Sequence, residues 1–571
     1  MGMGATNAHA RLAASVGTLE AVAPVFAQAV DVPYGGVLFA LPALLVSGLL
    51  EATERFFKLP KGYYGLDTLF VLLAFMALTR LKSVEQLRYC APGEWGKLLG
   101  LDRVPEVRTL RSKIGLLANT GQPEQWSGAL CERWMHAAPE QAGVLYIDSH
   151  VRVYNGEQTQ LPRHYVARQK LCLRATTDYW VNAMDGQPFF VINQVVDPGL
   201  IKVIEQDILA RLDQAVPSQA SAQALAIDPL LHRFTLVFDR EGYSPEFLRR
   251  MKSQRVACLT YHKFPGEKWP TEDFLTRCVR LPSGQCVEMK LAERGTRLSN
   301  GLWLREIRKL TERGHQTAVL ATDYRSECFT LAAAMFARWS QENFFKYTRE
   351  HYGLDRLVDY QTEVISEPLR VVNPAHRSLD GQVRAGTGKL HRVLAQFGAL
   401  SLGPGIEPEH IEPLMRKKAD LQEQIEHLQA EVQTLKDTRK ATARHIDVND
   451  LPEDLRFRQL STHSKHFIDT IKIIAYRAET SMANVLRESM PHPDESRSLL
   501  RALYTTEIDL LPDEKHKTLT VRLHHMAQRA SDTAIRKLCD ELNATETLFP
   551  RTDLRLVYEL GTQQNLRDQV V

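Results

Sequence analysis

No two cysteines in this chain stand in a C-x2-C pair. Eight are scattered over 571 residues, at Cys90, Cys131, Cys172, Cys258, Cys278, Cys286, Cys328 and Cys539. The spacing argues against a zinc ribbon or finger, and it suits a reducing, cytoplasmic setting. Neither sign of charge dominates: Lys+Arg number 71 and Asp+Glu 68. Any basic surface for nucleic acid must therefore be local. Long apolar runs are missing as well. Val37 to Leu50, which contains Pro42, and Leu69 to Leu78 are the strongest. Both fall short of the roughly 20 residues a membrane helix needs. They are expected as buried helices, with no membrane partner. No basic region directly precedes either, so a signal peptide is not expected. No repeat period stands out. Gly381-Gln-Val-Arg-Ala-Gly386-Thr-Gly388-Lys389 has the outline of a phosphate loop but fails it, because Val383 stands five before Gly388 and Leu390 follows Lys389.

What is present centres on Gly143-Val-Leu-Tyr-Ile-Asp148-Ser-His150. Its β-branched and aromatic residues read as a buried strand. A carboxylate there is costly unless something pairs it, and a divalent cation takes hard oxygen ligands. Leu231 to Asp239 repeats the pattern, an apolar strand delivering an acid. An Asp at a strand end is also a common cap residue, but two such strands can form two walls of one metal site. Gly242 permits a sharp turn after Asp239. Ser244 and Pro245 suit an N-cap and a first helical position.

At this length roughly two to four domains are expected. Thr79 to Asn119 holds eight Lys/Arg against four acids. Ser83-Val-Glu-Gln86 is a plausible capping box. A helix starts after Pro105 and carries Arg108 and Arg111. Short helices with a basic last member suit a helix-turn-helix reader, or a bundle with a solvated basic face. Residues 141–262 read as three strands, a helix, a strand, a helix and a strand. Residues 263–312 are less regular, rich in Pro and Gly, and read as an insertion. Gln316 to Thr322 is a further strand. Thr330 to Tyr347 reads as one helix with Glu342 among its apolar positions. Leu414, Leu421, Ile425, Leu428, Val432 and Leu435 make a short seam. It serves a coiled coil or an antiparallel hairpin equally well. Further helices are expected from Phe467 to Val485 and from Leu519 to Leu542.

Asp148, Asp239 and Glu342 resemble the acidic triad of bacterial insertion-sequence transposases of the DDE type. One branch of these carries a Tyr-x2-Arg-x3-Glu-x6-Lys signature. Here Arg338-Trp-Ser-Gln-Glu342 keeps the Arg and Glu, while Met335 replaces the tyrosine and Arg349 the lysine. The resemblance covers about residues 60–360. It implies an α/β fold with an RNase H-like catalytic core at 136–360, carrying the insertion at about 263–312. A helical DNA-binding region of helix-turn-helix type would fill 1–135. A mainly helical region would fill 361–571, with the coiled coil at about 412–445. It implies Asp148, Asp239 and Glu342 as catalytic metal ligands for Mg2+, with Mn2+ as a substitute. DNA contacts are implied for Arg338, Lys346, Arg349, Arg108 and Arg111. The implied partners are double-stranded DNA, at element ends and target, and a second copy of the chain; the Leu421–Leu435 seam offers an association surface, so deleting residues 405–571 is expected to impair the pairing of ends. The implied location is the bacterial cytoplasm, at the nucleoid.

The chemistry accounts for the residue types. Cleavage and strand transfer proceed by in-line displacement at phosphorus, which two divalent ions about 3.5–4 Å apart stabilise. Three carboxylates supply oxygen ligands and offset the metal charge. Without a cation they repel and raise one another's pKa. Two other classes stay open at this point: a metal-dependent nuclease of the same fold that does not join strands, and a non-catalytic DNA-binding protein of transposase descent.

Overall fold

The computed structural model describes residues 7–154, 161, 163–166, 171–194, 197–217, 219–281, 284–356, 362–363, 370–400, 408–451, 459–460, 462–526 and 529–561. The chain forms two compact units. The larger contains Met1–Asn155, Pro162–Gln361 and Leu460–Val571; the smaller contains Gly156–Leu161 and Thr362–Gln459. The expected C-terminal region, 361–571, is thus divided between them.

A ten-stranded mixed sheet dominates the larger unit. Strand Val144–Val153 lies near its middle. On one side Leu171–Asn182 pairs with it antiparallel, and Pro188–Gln194 pairs antiparallel with that strand. On the other side Thr235–Phe238 and then Ala257–Tyr261 run parallel to it. Helices Leu200–Val203, Leu209–Ala215 and Ala222–Ile227 precede Thr235–Phe238, and Pro245–Ser253 connects it to Ala257–Tyr261. Ser244 caps Pro245–Ser253 as its sequence suggests, accepting from Phe247 N.

Residues 263–312 are more regular than their composition implies. Leu275–Arg280, Cys286–Arg297 and Trp303–Leu310 form an antiparallel meander that joins the same sheet through Gln316–Ala321. Gly284 and Gly301 sit at its turns with positive φ, and so do not interrupt the strands. Gly295 does lie inside a strand. A Cβ there would stand 2.4 Å from the Trp303 ring, so glycine lets the indole lie flat across the neighbouring strand.

The core of this unit is built around helix Thr462–Arg487, which is buried on nearly every side. It packs against Leu41–Val46, Leu66–Leu78, Val107–Thr120, Pro123–Ala137 and strand Pro188–Gln194. Phe467 meets Phe57, Phe70 and Trp126. The two apolar N-terminal runs are buried as expected, although the first divides into a 3-10 helix, Gly35–Ala40, and helix Leu41–Val46. Among the described residues no helix is long and apolar enough to cross a membrane.

Several local expectations are corrected. Ser83 makes no side-chain cap bond, and Gln86 instead accepts from Lys82 N at 2.5 Å, so the capping box does not form. The helix expected from Leu519 begins only at Arg529. Thr518–Leu523 is a strand, because its buried positions alternate with a period of two. It belongs to a four-stranded sheet in which Ala29–Val32 pairs with Ile508–Asp513. Thr330–Tyr347 is broken into Cys328–Phe336 and Trp339–His351. The break places Arg338 at the N-cap and turns its buried side chain towards the central strand.

In the smaller unit, Pro374–Ala399 and Pro408–Ala441 form an antiparallel helical hairpin. Arg439 pairs with Asp380, and Lys418 lies over the Phe397 ring. Gly386 stands close against Val432. Leu421, Ile425 and Val432 of the seam are buried. The hairpin reading of that seam therefore holds within one chain, and these residues are not open for a second copy. The failed phosphate-loop segment, Gly381 to Lys389, lies inside the first helix.

Candidate active site

Strand register brings the two aspartates together. Val144 stands opposite Thr235 and Tyr146 opposite Val237 in the parallel pair. Continuing by two residues sets Asp148 level with Asp239, just past the end of its strand. Asp239 is also a cap: its carboxylate accepts from Glu241 N at 2.8 Å, and its carbonyl accepts from Thr260 Oγ1 at 2.9 Å. Gly242 is required behind it, since a Cβ would stand 2.4 Å from the Phe238 ring.

Glu342 arrives from the first turn of helix Trp339–His351. Three contacts set that helix start. Ser340 Oγ donates to Met184 O at 2.8 Å, and Gln341 Nε2 to Asn182 Oδ1 at 3.0 Å. The turn at Gly186, with φ +88°, comes so close that a Cβ there would lie 2.7 Å from Ser340 O. Further along, Tyr347 donates to Glu479 of the core helix, as does Tyr352. Arg80 and Arg497 complete that buried cluster, at 2.8 and 3.4 Å from Glu479. The helix bearing Glu342 is therefore held at both ends.

Both other acids act on the Asp148 carboxyl. The Asp148 carboxyl is pushed up to about 6, first by burial and then by repulsion from Asp239 and Glu342; Arg338 and the Ser149 amide oppose the rise. Asp148 accepts from Ser149 N at 2.8 Å and from Arg338 Nη2 at 3.1 Å. Burial raises the Tyr261 hydroxyl, and Arg338, Glu342, Arg240 and Asp239 also act on it. Tyr261 thus belongs to the rim of the same site.

Two further acids escaped the sequence reading. Glu241 accepts from Ser149 Oγ at 3.2 Å. Its carboxyl is pushed up to about 7 by desolvation and by Asp197, Asp239 and Asp148, although the residue as a whole is exposed to solvent. Asp197 is held by Tyr179 OH and by Gly199 N at 2.8 Å. The only signal for Glu241 was its place two residues after Asp239, in a segment readable as a turn.

Arg338, expected at DNA phosphate, is 7% exposed and pairs with Asp148. Lys346 and Arg349 are exposed on the Glu342 helix. Arg108 and Arg111 are exposed on helix Val107–Thr120, with Arg111 paired to Glu85. The oxygen donors of Asp148, Asp239, Glu241 and Glu342 suit a hard divalent cation, and their mutual repulsion favours one. Among the described residues, however, the three-residue group whose ligand atoms all lie within 4.8 Å of one another is elsewhere, at Asp31, Asp509 and His524.

A family model described as "Transposase protein" matches residues 2–562. No curated protein matches the chain. Among solved structures, a piggyBac transposase synaptic complex with hairpin DNA aligns over 84% of this chain and 86% of that one. The identity is 10% and the TM-score 0.28.

Proposed function

The chain belongs to this transposase family, and from that premise we propose that it is a DDE-type enzyme. In this reading Asp148, Asp239 and Glu342 serve the cleavage of element ends and their joining to target DNA. The observation that carries the reading is convergence. Acids from a central strand, the end of its parallel neighbour and a later helix all act on the Asp148 carboxyl. The sheet order supports an RNase H-like core, with three antiparallel strands followed by two parallel ones and the helix bearing Glu342 placed later in the chain. The meander at residues 275–310 is the insertion between the second and third acids.

Asp148, Asp239 and Glu342 would hold Mg2+, or Mn2+ in its place. The chemistry such a cation supplies when bound is Lewis-acid polarisation of the reacting phosphate oxygens. The chain's own residues do the positioning. Arg338 holds Asp148 in a fixed orientation and offsets its charge. Lys346 and Arg349 offer exposed cations to DNA phosphates one and two turns along from Glu342. Arg108 and Arg111 lie on the exposed side of a helix whose other face is packed into the core, which suits contact with the element ends. The active assembly is a homodimer that pairs two ends.

The test is an end-cleavage and joining assay with magnesium, using DNA from both flanks of the gene, where inverted repeats are expected. Glu342→Gln should reduce cleavage by orders of magnitude while end binding and folding persist. Activity within a few-fold of the parent would remove Glu342 from the site. Cleavage without joining would reassign the protein as a nuclease, and binding without cleavage as a non-catalytic DNA-binding protein.

A further inference from the structure

Away from the acidic cluster, the four-stranded sheet gathers a carboxylate–imidazole triad from three segments. Asp31 lies on the edge strand Ala29–Val32, Asp509 on Ile508–Asp513, and His524 directly after Thr518–Leu523. His524 Nε2 stands 3.0 Å from Asp509 Oδ1 and 3.7 Å from Asp31 Oδ1. One ligand atom from each of the three lies within 4.8 Å of the others. Zinc held by nitrogen and oxygen at about 2.0–2.2 Å in a tetrahedron has ligand–ligand edges of about 3.4 Å. The two imidazole–carboxylate distances straddle that value.

The charge balance favours a cation as well. Register sets Arg522 opposite Asp509, yet its guanidinium is paired with Glu559 on the next strand, at 2.5 Å. Among the described residues no Lys or Arg forms an ion pair with Asp31 or Asp509. Two carboxylates therefore converge on one imidazole, and Asp509 keeps only 13% of its side chain exposed.

We propose that Asp31, Asp509 and His524 form a binding site for one divalent cation of the zinc class. The mixed nitrogen and oxygen donors suit zinc, cobalt or nickel better than magnesium, and three protein ligands leave a position for water. Bound there, the ion ties the N-terminal edge strand to the C-terminal sheet.

The experiment uses the full-length protein, freed of metal by chelation and titrated with Zn2+ alone, followed by calorimetry and thermal melting. Co2+ absorption serves as a second readout of a nitrogen-bearing site. Asp31→Asn is the deciding variant. Asp31 is 69% exposed, and Asn tolerates its left-handed backbone, φ +51°. One tight Zn2+ equivalent and a raised melting temperature are expected for the parent. Asp31→Asn should weaken that equivalent about tenfold or more, a loss at least comparable to removing an outer-shell partner. Asp148→Asn combined with Asp239→Asn should leave it in place, which separates this site from the acidic cluster. Unchanged Zn2+ binding in Asp31→Asn would overturn the proposal. So would a parent that binds no Zn2+, which would reduce the triad to an imidazolium ion pair.

Discussion

Asp148→Asn should stabilise the fold while abolishing strand cleavage. The Asp148 carboxyl is raised from 3.8 to about 6, first by burial and then by Asp239 and Glu342, net of the help from Arg338. A group whose folded pKa is raised binds its proton more tightly in the folded state. Its effect on stability is therefore most favourable below about pH 4 and is lost as pH rises through 6. At about 1.4 kcal/mol per pKa unit, charging this group costs the folded protein up to about 3 kcal/mol. The side chain is a fifth exposed, so we expect about 1–3 kcal/mol. Asn resembles the protonated acid in shape and still offers Arg338 an oxygen. Urea titrations at pH 4.5 and pH 8 should show the variant gaining in midpoint mainly at pH 8, with an unchanged slope. Equal shifts at both pH values, or a variant less stable at pH 8, would refute the reasoning. Retained cleavage would instead refute the role assigned to Asp148.

Replacing Arg108 and Arg111 together with Ala should weaken end binding and reduce its salt slope by about 1–2, measured by fluorescence anisotropy at several salt concentrations. Gly186→Ala meets both a positive φ and Ser340 O. It should cost about 1–3 kcal/mol in chemical denaturation and lower cleavage by displacing the Glu342 helix, with end binding retained. Glu479→Gln leaves Arg80 and Arg497 buried without their carboxylate, a loss of about 3–5 kcal/mol in the same measurement. Arg80, Arg497 and the hydroxyls of Tyr347 and Tyr352 hold the Glu479 carboxyl low against the effect of burial. Its stabilisation is therefore present at neutral pH and lost as pH falls through that lowered value, so parent and variant should converge in acid.

The strands bearing Asp148 and Asp239 were legible because each concentrates β-branched and aromatic residues before one acid. The helix bearing Glu342 was legible in periodicity but not in its break. Ala337 and Arg338 look helical in sequence, and tertiary bonds at Ser340 and Gln341 reset the helix start. The meander at 275–310 was obscured because glycine and proline counts do not distinguish turns between strands from loss of structure. Glu241 had no signal beyond its place after Asp239, and Asp197 had none, since only the fold brings it near Glu241. The four-stranded sheet was invisible for a related reason. Ala29–Val32 is four residues long, and its partner lies some 480 positions away.

That separation bears on how the protein is made. The edge strand Ala29–Val32 and the apolar helix Leu66–Leu78 leave the ribosome early, but helix Thr462–Arg487 and strand Ile508–Asp513, which cover them, come last. At about 5–20 residues per second, the wait is roughly 20–90 seconds. Through that interval a helix that is apolar from Leu69 to Leu78 has no finished pocket to enter. Nascent chains should therefore depend on chaperone shielding during elongation, and a product cut short before Thr462 should aggregate rather than persist as a folded fragment.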